Sequence, residues 1–192
     1  MDPWAKIQRV ELPEDLVLEV LVRVADAAAL RRCAAACKRW RALVADPSFA
    51  GHRRQTLMAT VGLNEAEWAL SKVLPWSDVG PNYNRLLLTN GMVQGGPIPR
   101  MFPELELVGD NGMHNEQAVA VLIDGEAGVE KVTAVRYMNA AAAAAYRISG
   151  RGWNEFVRDS RISRGDRVDL YVGRRGPGER CLLFFNNKGD HV

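Results

Sequence analysis

Apolar residues between positions 12 and 24 recur with the spacing of one helix face. Counted from the first, they stand at intervals of 4, 5, 8, 9 and 12 residues: Leu12, Leu16, Val17, Val20, Leu21 and Val24. This spacing predicts a first helix, in whose opening turn Pro13 is tolerated. Asp26 is a suitable N-cap for a second helix over Ala27–Ala36. Asp46 and Pro47 then predict the end of the helical run.

Past Trp68 the helical spacing gives way to short apolar runs separated by glycine and proline, which is typical of strands. The runs are Leu86–Leu88, Val119–Ile123, Val132–Val135, Val168–Val172 and Cys181–Phe185. One helix is predicted at Trp153–Arg158. The alanines at 140–145 are either a flexible loop tip or a short helix, because alanine has the best helix propensity. The pattern therefore predicts an α+β chain, with a small three-helix module before a mostly antiparallel β domain that has one or two short helices.

Composition places the chain among ordinary globular proteins. It has 192 residues, 47% apolar and 25% charged, enough for one or two domains with a buried core. There is no secretory pattern at the N-terminus and no run of the roughly 18 apolar residues that a membrane span needs. Three cysteines are too few for a disulfide framework. We therefore expect a cytosolic or nuclear protein with no membrane partner.

The net charge of +2 is unevenly distributed. Residues 1–54 carry ten basic and seven acidic residues, residues 55–145 carry five and ten, and residues 146–192 carry ten and six. A dedicated nucleic-acid binder usually has a basic excess over its domain. Residues 55–192 sum to −1, which counts mildly against strong nonspecific DNA binding.

Six short segments of the first fifty residues occur in the order and spacing of a known module. They are Leu12-Pro13-Glu14-Asp15-Leu16, Glu19-Val20-Leu21, Leu30-Arg31-Arg32-Cys33, Cys37-Lys38-Arg39-Trp40-Arg41, Leu43, and Pro47-Ser48-Phe49. Together they resemble the plant F-box, over residues 9–50. The resemblance implies docking onto the Skp-type linker subunit of a cullin ubiquitin ligase. The residues implied in docking are Leu12, Pro13, Leu16 and Leu21, with Trp40 packing nearby. The alternative is that these side chains are simply the core of a small helical domain.

A second set of segments runs through the rest of the chain. It consists of Ser71–Gly80, Asn84–Leu88, Phe102–Leu105, Ala145–Val157 and Gly165–Leu170. These segments are similar to the plant B-three DNA-binding domain, and the Gly-Trp-x-x-Phe-Val run from Gly152 is the most specific of them. The resemblance implies a seven-stranded β pseudobarrel over residues 68–186. We expect the F-box module at 1–54, a linker or joining helix at 55–67, the pseudobarrel, and a tail at 187–192.

The same resemblance implies two arms that enter the major groove of DNA, the first near residues 75–85 and the second near 136–146. The residues implied in DNA contact are Lys72, Ser77, Asp78, Asn84, Arg85, Arg136 and Asn139. The chain departs from the family pattern at Pro81, where a lysine is common, and in the alanines of the second arm. An alanine side chain cannot hydrogen-bond a base. The candidate residues are therefore either DNA contacts or solvated loop residues.

Eight arginines lie between positions 147 and 175. They form either a phosphate-binding patch or, with the five acids among residues 147–180, a mixed solvated face. The interleaved acids favour the second interpretation.

No catalytic or cofactor motif stands out. The sequence has neither the Gly-x-x-x-x-Gly-Lys-Ser/Thr phosphate loop nor the Gly-x-Ser-x-Gly nucleophile turn. Cys33 and Cys37 are at most half of a zinc site, and His52 is the one further ligand nearby, so core thiols are favoured. We therefore expect a protein that is not an enzyme and has no cofactor or metal.

Three hypotheses about function remain open. The leading one is an F-box adaptor whose second domain binds DNA or a protein substrate. The alternative is a sequence-specific transcriptional regulator of the B-three class, in which the F-box is an accessory interaction module. The third is a chain with neither activity.

Overall fold

The computed structural model describes residues 12–24, 26–83, 85–106, 117–140 and 143–187. The chain divides into two compact units, Met1–Leu57 and Met58–Val192. We call them the N-terminal unit and the β unit.

Helices build the N-terminal unit. They are α1 (Glu14–Val22), α2 (Ala27–Ala36), α3 (Lys38–Ala45) and α4 (Pro47–Thr60), the last of which ends beyond Leu57. The Asp26 carboxylate accepts hydrogen bonds from the backbone N–H groups of Ala28 and Ala29, at 3.0 and 2.9 Å, and so caps α2. These bonds hold the pKa of the Asp26 carboxyl below its usual value. The predicted helix over Ala27–Ala36 is therefore confirmed, cap included.

Both ends of α3 differ from the simple helical pattern. Asp46 and Pro47 end this helix as predicted, but Pro47 also opens α4, because proline fits the first turn of a helix. At the start of α3 the Cys37 thiol accepts a hydrogen bond from the backbone N–H of Trp40 at 3.4 Å. This cysteine is therefore a helix cap.

A small apolar cluster forms a core in the N-terminal unit. Its buried members are Val17, Leu21, Val22 and Phe49, and the partly buried side chains packed against them are Leu18, Leu30, Cys33, Trp40, Leu43 and Val44. Cys33 is thus a packing thiol.

Seven strands of the described residues form one sheet in the β unit. They are β1 (Glu67–Val73), β2 (Arg85–Thr89), β3 (Gln117–Asp124), β4 (Glu130–Ala140), β5 (Ala143–Ser149), β6 (Arg167–Arg175) and β7 (Glu179–Asn187). Their order in the sheet is β1-β6-β7-β3-β4-β5-β2. Every pairing is antiparallel except that of β3 with β7, which is parallel. The predicted fold class, helical module followed by a seven-stranded, mostly antiparallel sheet, is confirmed.

The alanine-rich segment is part of two strands. Ala140, the last residue of β4, pairs with Ala143, the first residue of β5. Ala145 pairs with Met138 of β4 on one side and with Thr89 of β2 on the other. The expectation of a loop tip or a short helix is therefore wrong for residues 140 and 143–145, while 141 and 142 lie outside the described residues. Pairing on both sides of β5 outweighs the helix preference of a few alanines.

Short helices connect the strands. They are α5 (Trp76–Val79), α6 (Asn90–Val93), α7 (Pro97–Met101) and α8 (Arg151–Asp159), with a 3-10 helix at Pro103–Glu106. The expectation of one or two was too low, because helices of four or five residues leave no periodic apolar pattern. Helix α8 contains the predicted segment Trp153–Arg158. Its Trp153 and Phe156 rings are fully buried, with centroids 5.9 and 5.2 Å from that of Phe184 in β7.

Candidate docking face and candidate nucleic-acid interface

Three exposed apolar side chains lie on α1 and just before it. Leu16 and Val20 are four residues apart in α1 and so lie on one side of the helix, and Leu12 precedes its N-cap Pro13. Their side chains are 52%, 45% and 59% exposed. Pro13 beside them is exposed as well. We call Leu12, Leu16 and Val20 the apolar row.

Leu21 lies in the interior instead of on the docking surface that the sequence implies. It is 0% exposed and belongs to the core cluster with Val17, Val22 and Phe49. Trp40 is partly buried against the same cluster. Helix α1 therefore carries two apolar stripes, one turned inward and one outward, which the sequence pattern had merged into one face. The correction assigns Leu21 to packing and leaves Leu12, Pro13 and Leu16 as candidates for direct contact.

Lys72 and Asp78, both expected to contact DNA, are paired with each other in the interior. Lys72 Nζ lies 2.6 Å from Asp78 Oδ2, and the two side chains are 10% and 2% exposed. The same ammonium donates to the Leu87 carbonyl at 2.5 Å. Lys72 is on β1 and Leu87 is on β2, so this hydrogen bond joins the two end strands of the sheet. The two charges compensate each other inside the protein, so the structure places this pair in the interior and not at a surface where DNA could be contacted.

The remaining residues of the first arm are less enclosed. Ser77 lies in α5 and is partly exposed. Asn84 lies outside the described residues. Arg85 is the first residue of β2 and is partly exposed, whereas Leu86 beside it is buried. Because successive strand residues alternate between faces, Arg85 belongs to the face that turns away from the core.

Strands β2, β5 and β4 have one face toward the core and one face away from it. The inward cross-strand rows, all buried, are Leu86–Ile148–Val135 and Leu88–Tyr146–Tyr137. The Tyr146 hydroxyl donates to the Glu106 carboxylate at 2.6 Å. Burial is the main cause that raises the pKa of this hydroxyl, and the Glu106 carboxylate is the second. The outward rows are Arg85–Ser149–Ala134, Leu87–Arg147–Arg136 and Thr89–Ala145–Met138. We call these three outward rows the outer face.

Three arginines dominate the outer face. Arg147 is directly opposite Arg136 across the β4–β5 pairing, and Arg85 is its diagonal neighbour on β2. Within the described residues neither the Arg85 nor the Arg147 guanidinium makes a hydrogen bond or ion pair, and the Nε of each is buried without an acceptor. Arg136 donates through Nε and Nη2 to Gln117 Oε1, at 3.2 and 2.7 Å. The three rows contain no acidic residue, so the outer face is locally cationic.

Arg147 was not singled out by sequence reasoning, which counted it among the eight arginines of a mixed face. The signal lay in the alternation of β5, where the arginine stands between the apolar residues Tyr146 and Ile148. The backbone of Asn139 pairs with Ala144, but its side chain lies outside what the structure describes. Asn139 therefore stays a prediction.

Several other arginines of the β unit have acidic partners. The pairs are Arg151–Glu155 at 2.6 Å, Arg158–Asp159 at 2.8 Å, Arg175 with Glu130 at 2.7 Å and with Glu179 at 2.6 Å, and Arg180–Glu104. Hydrogen bonds from Arg158 and then Lys131 lower the pKa of Asp159 to about 2. These guanidiniums are compensated by the protein, unlike those of Arg85 and Arg147.

The described residues contain neither a metal site nor a membrane-spanning helix. Among them, no group of three or more His, Cys, Asp or Glu side chains is placed to hold a metal ion. In the same part of the chain, no helix has both the length and the apolar character needed to cross a membrane.

Residues 10–54 match the family model described as F-box-like, which confirms the resemblance of the N-terminal module. No curated protein matches the chain in sequence. Among solved structures, the chain is similar to the Arabidopsis FUS3–DNA complex, with 17% identity and a TM-score of 0.46, over 65% of this chain and 100% of that one. It is also similar to the complex of the Arabidopsis thaliana transcription factor LEC2 with DNA, with 19% identity and a TM-score of 0.43, over 67% and 97%. These likenesses concern the fold alone, so the function is argued below from the residues of this chain.

Proposed function

We propose that the chain is a nuclear F-box adaptor. Its N-terminal unit docks onto the Skp-type linker subunit of a cullin ubiquitin ligase, and its β unit binds double-stranded DNA. The observation that carries the docking role is the apolar row on α1. In this role the chain transfers no ubiquitin itself, because that chemistry belongs to the partner subunits.

The apolar row has the properties of a helical docking surface. Helices that bind a partner present apolar side chains three or four residues apart, and Leu12, Leu16 and Val20 have the second spacing. Full burial of one such side chain against a partner contributes about 1.5–3 kcal/mol. Leu21 supports this surface from inside, by packing α1 onto the unit's core.

Co-purification with a Skp-type linker subunit tests the docking surface. Leu12→Asp combined with Leu16→Asp removes two apolar contacts from side chains that are about half exposed, which together should weaken association by roughly 10- to 100-fold. Val119→Asp combined with Val132→Asp is the matched control, since it adds the same two charges at exposed valines of the β unit, 61% and 64% exposed. The control should associate like the original protein. Unchanged association of the leucine variant would exclude the apolar row as the docking surface.

A second observation, the uncompensated arginines of the outer face, favours DNA as what the β unit binds. The first arm leads into Arg85, which pairs with Ser149 at one end of β5. The alanines of the second arm lie at the other end, where Ala143 pairs with Ala140. Ser149 and Ala143 are six positions apart along β5, or roughly 20 Å. A duplex that touches both arms would therefore cross the outer face between them.

A gel shift with random-sequence duplex at about 0.1 M salt tests DNA binding. Arg85→Ala and Arg136→Ala should each weaken the shift. If duplex is bound but neither variant changes the shift, the outer face is not the DNA site. If no duplex is bound, a protein substrate becomes the ligand of the β unit. Recovery of one selected sequence motif would instead favour the transcriptional regulator, with Ser77 and Asn139 as candidate base contacts.

A further inference from the structure

We propose that Arg147 is the centre of a phosphate-binding site on the outer face, and that the β unit holds duplex DNA there by its backbone without reading its bases. This inference rests on the DNA-binding part of the proposed function. It deepens that part by naming the chemical groups that are recognised and the residue on which recognition depends.

The strand register concentrates positive charge at Arg147. Residues directly opposite on antiparallel strands have Cβ atoms about 5 Å apart, and diagonal neighbours lie about 7–8 Å apart. Arg147 is directly opposite Arg136 and is the diagonal neighbour of Arg85. Like charges directly opposite each other destabilise a sheet. An anion that contacts both side chains would remove this penalty.

The hydrogen-bonding groups around Arg147 are also suited to phosphate. A guanidinium offers five N–H donors in a planar fork that fits phosphate oxygens. Among the described residues Arg85 and Arg147 have no acceptor for their Nε groups, and an unpaired buried donor is unfavourable. Gln117 Oε1 accepts hydrogen bonds from Nε and Nη2 of Arg136, which leaves Nη1 of Arg136 available. Phosphate oxygens supply the missing acceptors.

The shape and composition of the outer face favour a duplex over a single strand. Proteins that hold single-stranded nucleic acid stack the bases on aromatic side chains, and the three outward rows contain no aromatic residue. Strands lie about 4.8 Å apart, so the face spans roughly 10 Å from β2 to β4. Along one strand of a duplex, successive phosphates are about 3.4 Å apart in the axial direction, so this span covers about three of them.

Two features restrict recognition to the backbone. The alanine side chains at the β4–β5 end cannot hydrogen-bond a base. Residues 55–192 have a net charge of −1, so a local cluster of arginines, and not a general basic excess, attracts the DNA. Few phosphates are therefore neutralised, and the binding should be weak, dependent on salt and tolerant of sequence.

Fluorescence anisotropy of the full-length chain with labelled duplexes of several unrelated sequences, from about 50 to 200 mM salt, tests the site. For three phosphates the slope of log K against log salt should be about −2.7, and Arg147→Gln should reduce it to about −1.8. At about 50 mM salt this variant should bind roughly tenfold more weakly. Arg164→Gln is the matched control, an exposed arginine outside the three strands that should leave slope and affinity unchanged. Arg147→Lys keeps the charge and should retain the slope.

The outcomes separate this inference from the function on which it rests. Duplex binding that Arg147→Gln leaves unchanged, or that Arg164→Gln weakens equally, would overturn the site while DNA binding stands. More than about tenfold discrimination between duplex sequences, which is the scale of a base contact, would overturn backbone recognition. So would equal or tighter binding of a single strand of the same length. If the original protein binds no duplex at the lowest salt, the proposed DNA-binding function fails together with the inference.

Discussion

The role of a charged side chain in the β unit depends on whether a counter-charge lies within its reach. The Lys72 ammonium has the Asp78 carboxylate at 2.6 Å and the Leu87 carbonyl at 2.5 Å, with both charged side chains nearly buried. The desolvation of such a pair is offset only while both partners are present. Arg85 and Arg147 have no such partner among the described residues. We therefore expect Lys72 to matter for folding, and the two arginines to matter for binding.

Replacement of Lys72 by methionine tests this division. Lys72→Met leaves the Asp78 carboxylate buried without its ammonium partner, so the free energy of unfolding should fall by about 3–5 kcal/mol. Adding Asp78→Asn removes the unpaired charge and should recover part of the loss. Urea denaturation followed by tryptophan fluorescence measures both variants. A folded Lys72→Met protein that has lost DNA affinity would return Lys72 to the DNA interface.

At the scale of elements, the contact between α8 and β4 depends on a single glycine. A Cβ atom built on Gly152 would lie 1.9 Å from the Val132 carbonyl oxygen, a backbone atom that cannot rotate away. Gly152→Ala should therefore displace the helix and lower the free energy of unfolding by about 1–3 kcal/mol. Gly51→Ala in α4 is the matched control, because nothing lies within 4 Å of its Cβ position. It should raise stability by about 0.5–1 kcal/mol. If urea denaturation shows that both substitutions change the free energy of unfolding in the same direction, this account of Gly152 is contradicted.

The sequence predicted those elements that have a strong apolar pattern and missed those that do not. Strands with continuous apolar runs, such as Cys181–Phe185 in β7, were predicted because both of their faces are largely buried. Strand β1 was missed, since its register shifts between Trp68 and Leu70 and its burial does not alternate regularly. Strand β5 was missed because its first residues are alanines, whose position is set by pairing partners distant in sequence.

The strand assignment of the alanine segment predicts slow amide exchange. The Ala145 and Tyr146 positions pair with β4 on one side and with β2 on the other. Their backbone N–H groups should therefore exchange at least about a thousandfold more slowly than in an unstructured chain, like other central strands. Hydrogen–deuterium exchange measured by NMR or mass spectrometry gives the rates, with Ile148 of the same strand as the internal reference. Exchange of residues 144–146 at the rate of an unstructured peptide would show that they are a loop tip.

At the scale of the whole molecule, the sequence predicted the fold better than it predicted which side chains are exposed. The F-box segments predicted a docking surface on α1 but could not separate exposed Leu16 from buried Leu21, because both fit one broad helical face. The B-three segments predicted Arg85 and Arg136 as DNA contacts, and both lie on the outer face. They did not show that Lys72 pairs with Asp78, because no local pattern records a contact between a strand residue and a helix residue. Tertiary contacts therefore decided the roles of the individual side chains.

An adaptor with two binding functions should respond to its two ligands in separable ways. A ligand that binds only the folded form stabilises it by about 2.7 kcal/mol at a concentration of 100 Kd. At that excess the Skp-type subunit should raise the unfolding temperature of the helical N-terminal unit, and duplex DNA should raise that of the β unit.

Calorimetry on variants of the full chain decides whether the two effects are distinct. Leu12→Asp with Leu16→Asp should abolish stabilisation by the linker subunit and keep that by DNA, because the apolar row belongs to the N-terminal unit. Arg147→Gln should weaken stabilisation by DNA and keep that by the linker subunit, because this arginine lies on the outer face. Loss of both effects in either variant would contradict the assignment of docking and DNA binding to different units. Stabilisation by the linker alone, with no effect of any duplex, would instead direct the search to protein substrates of the β unit.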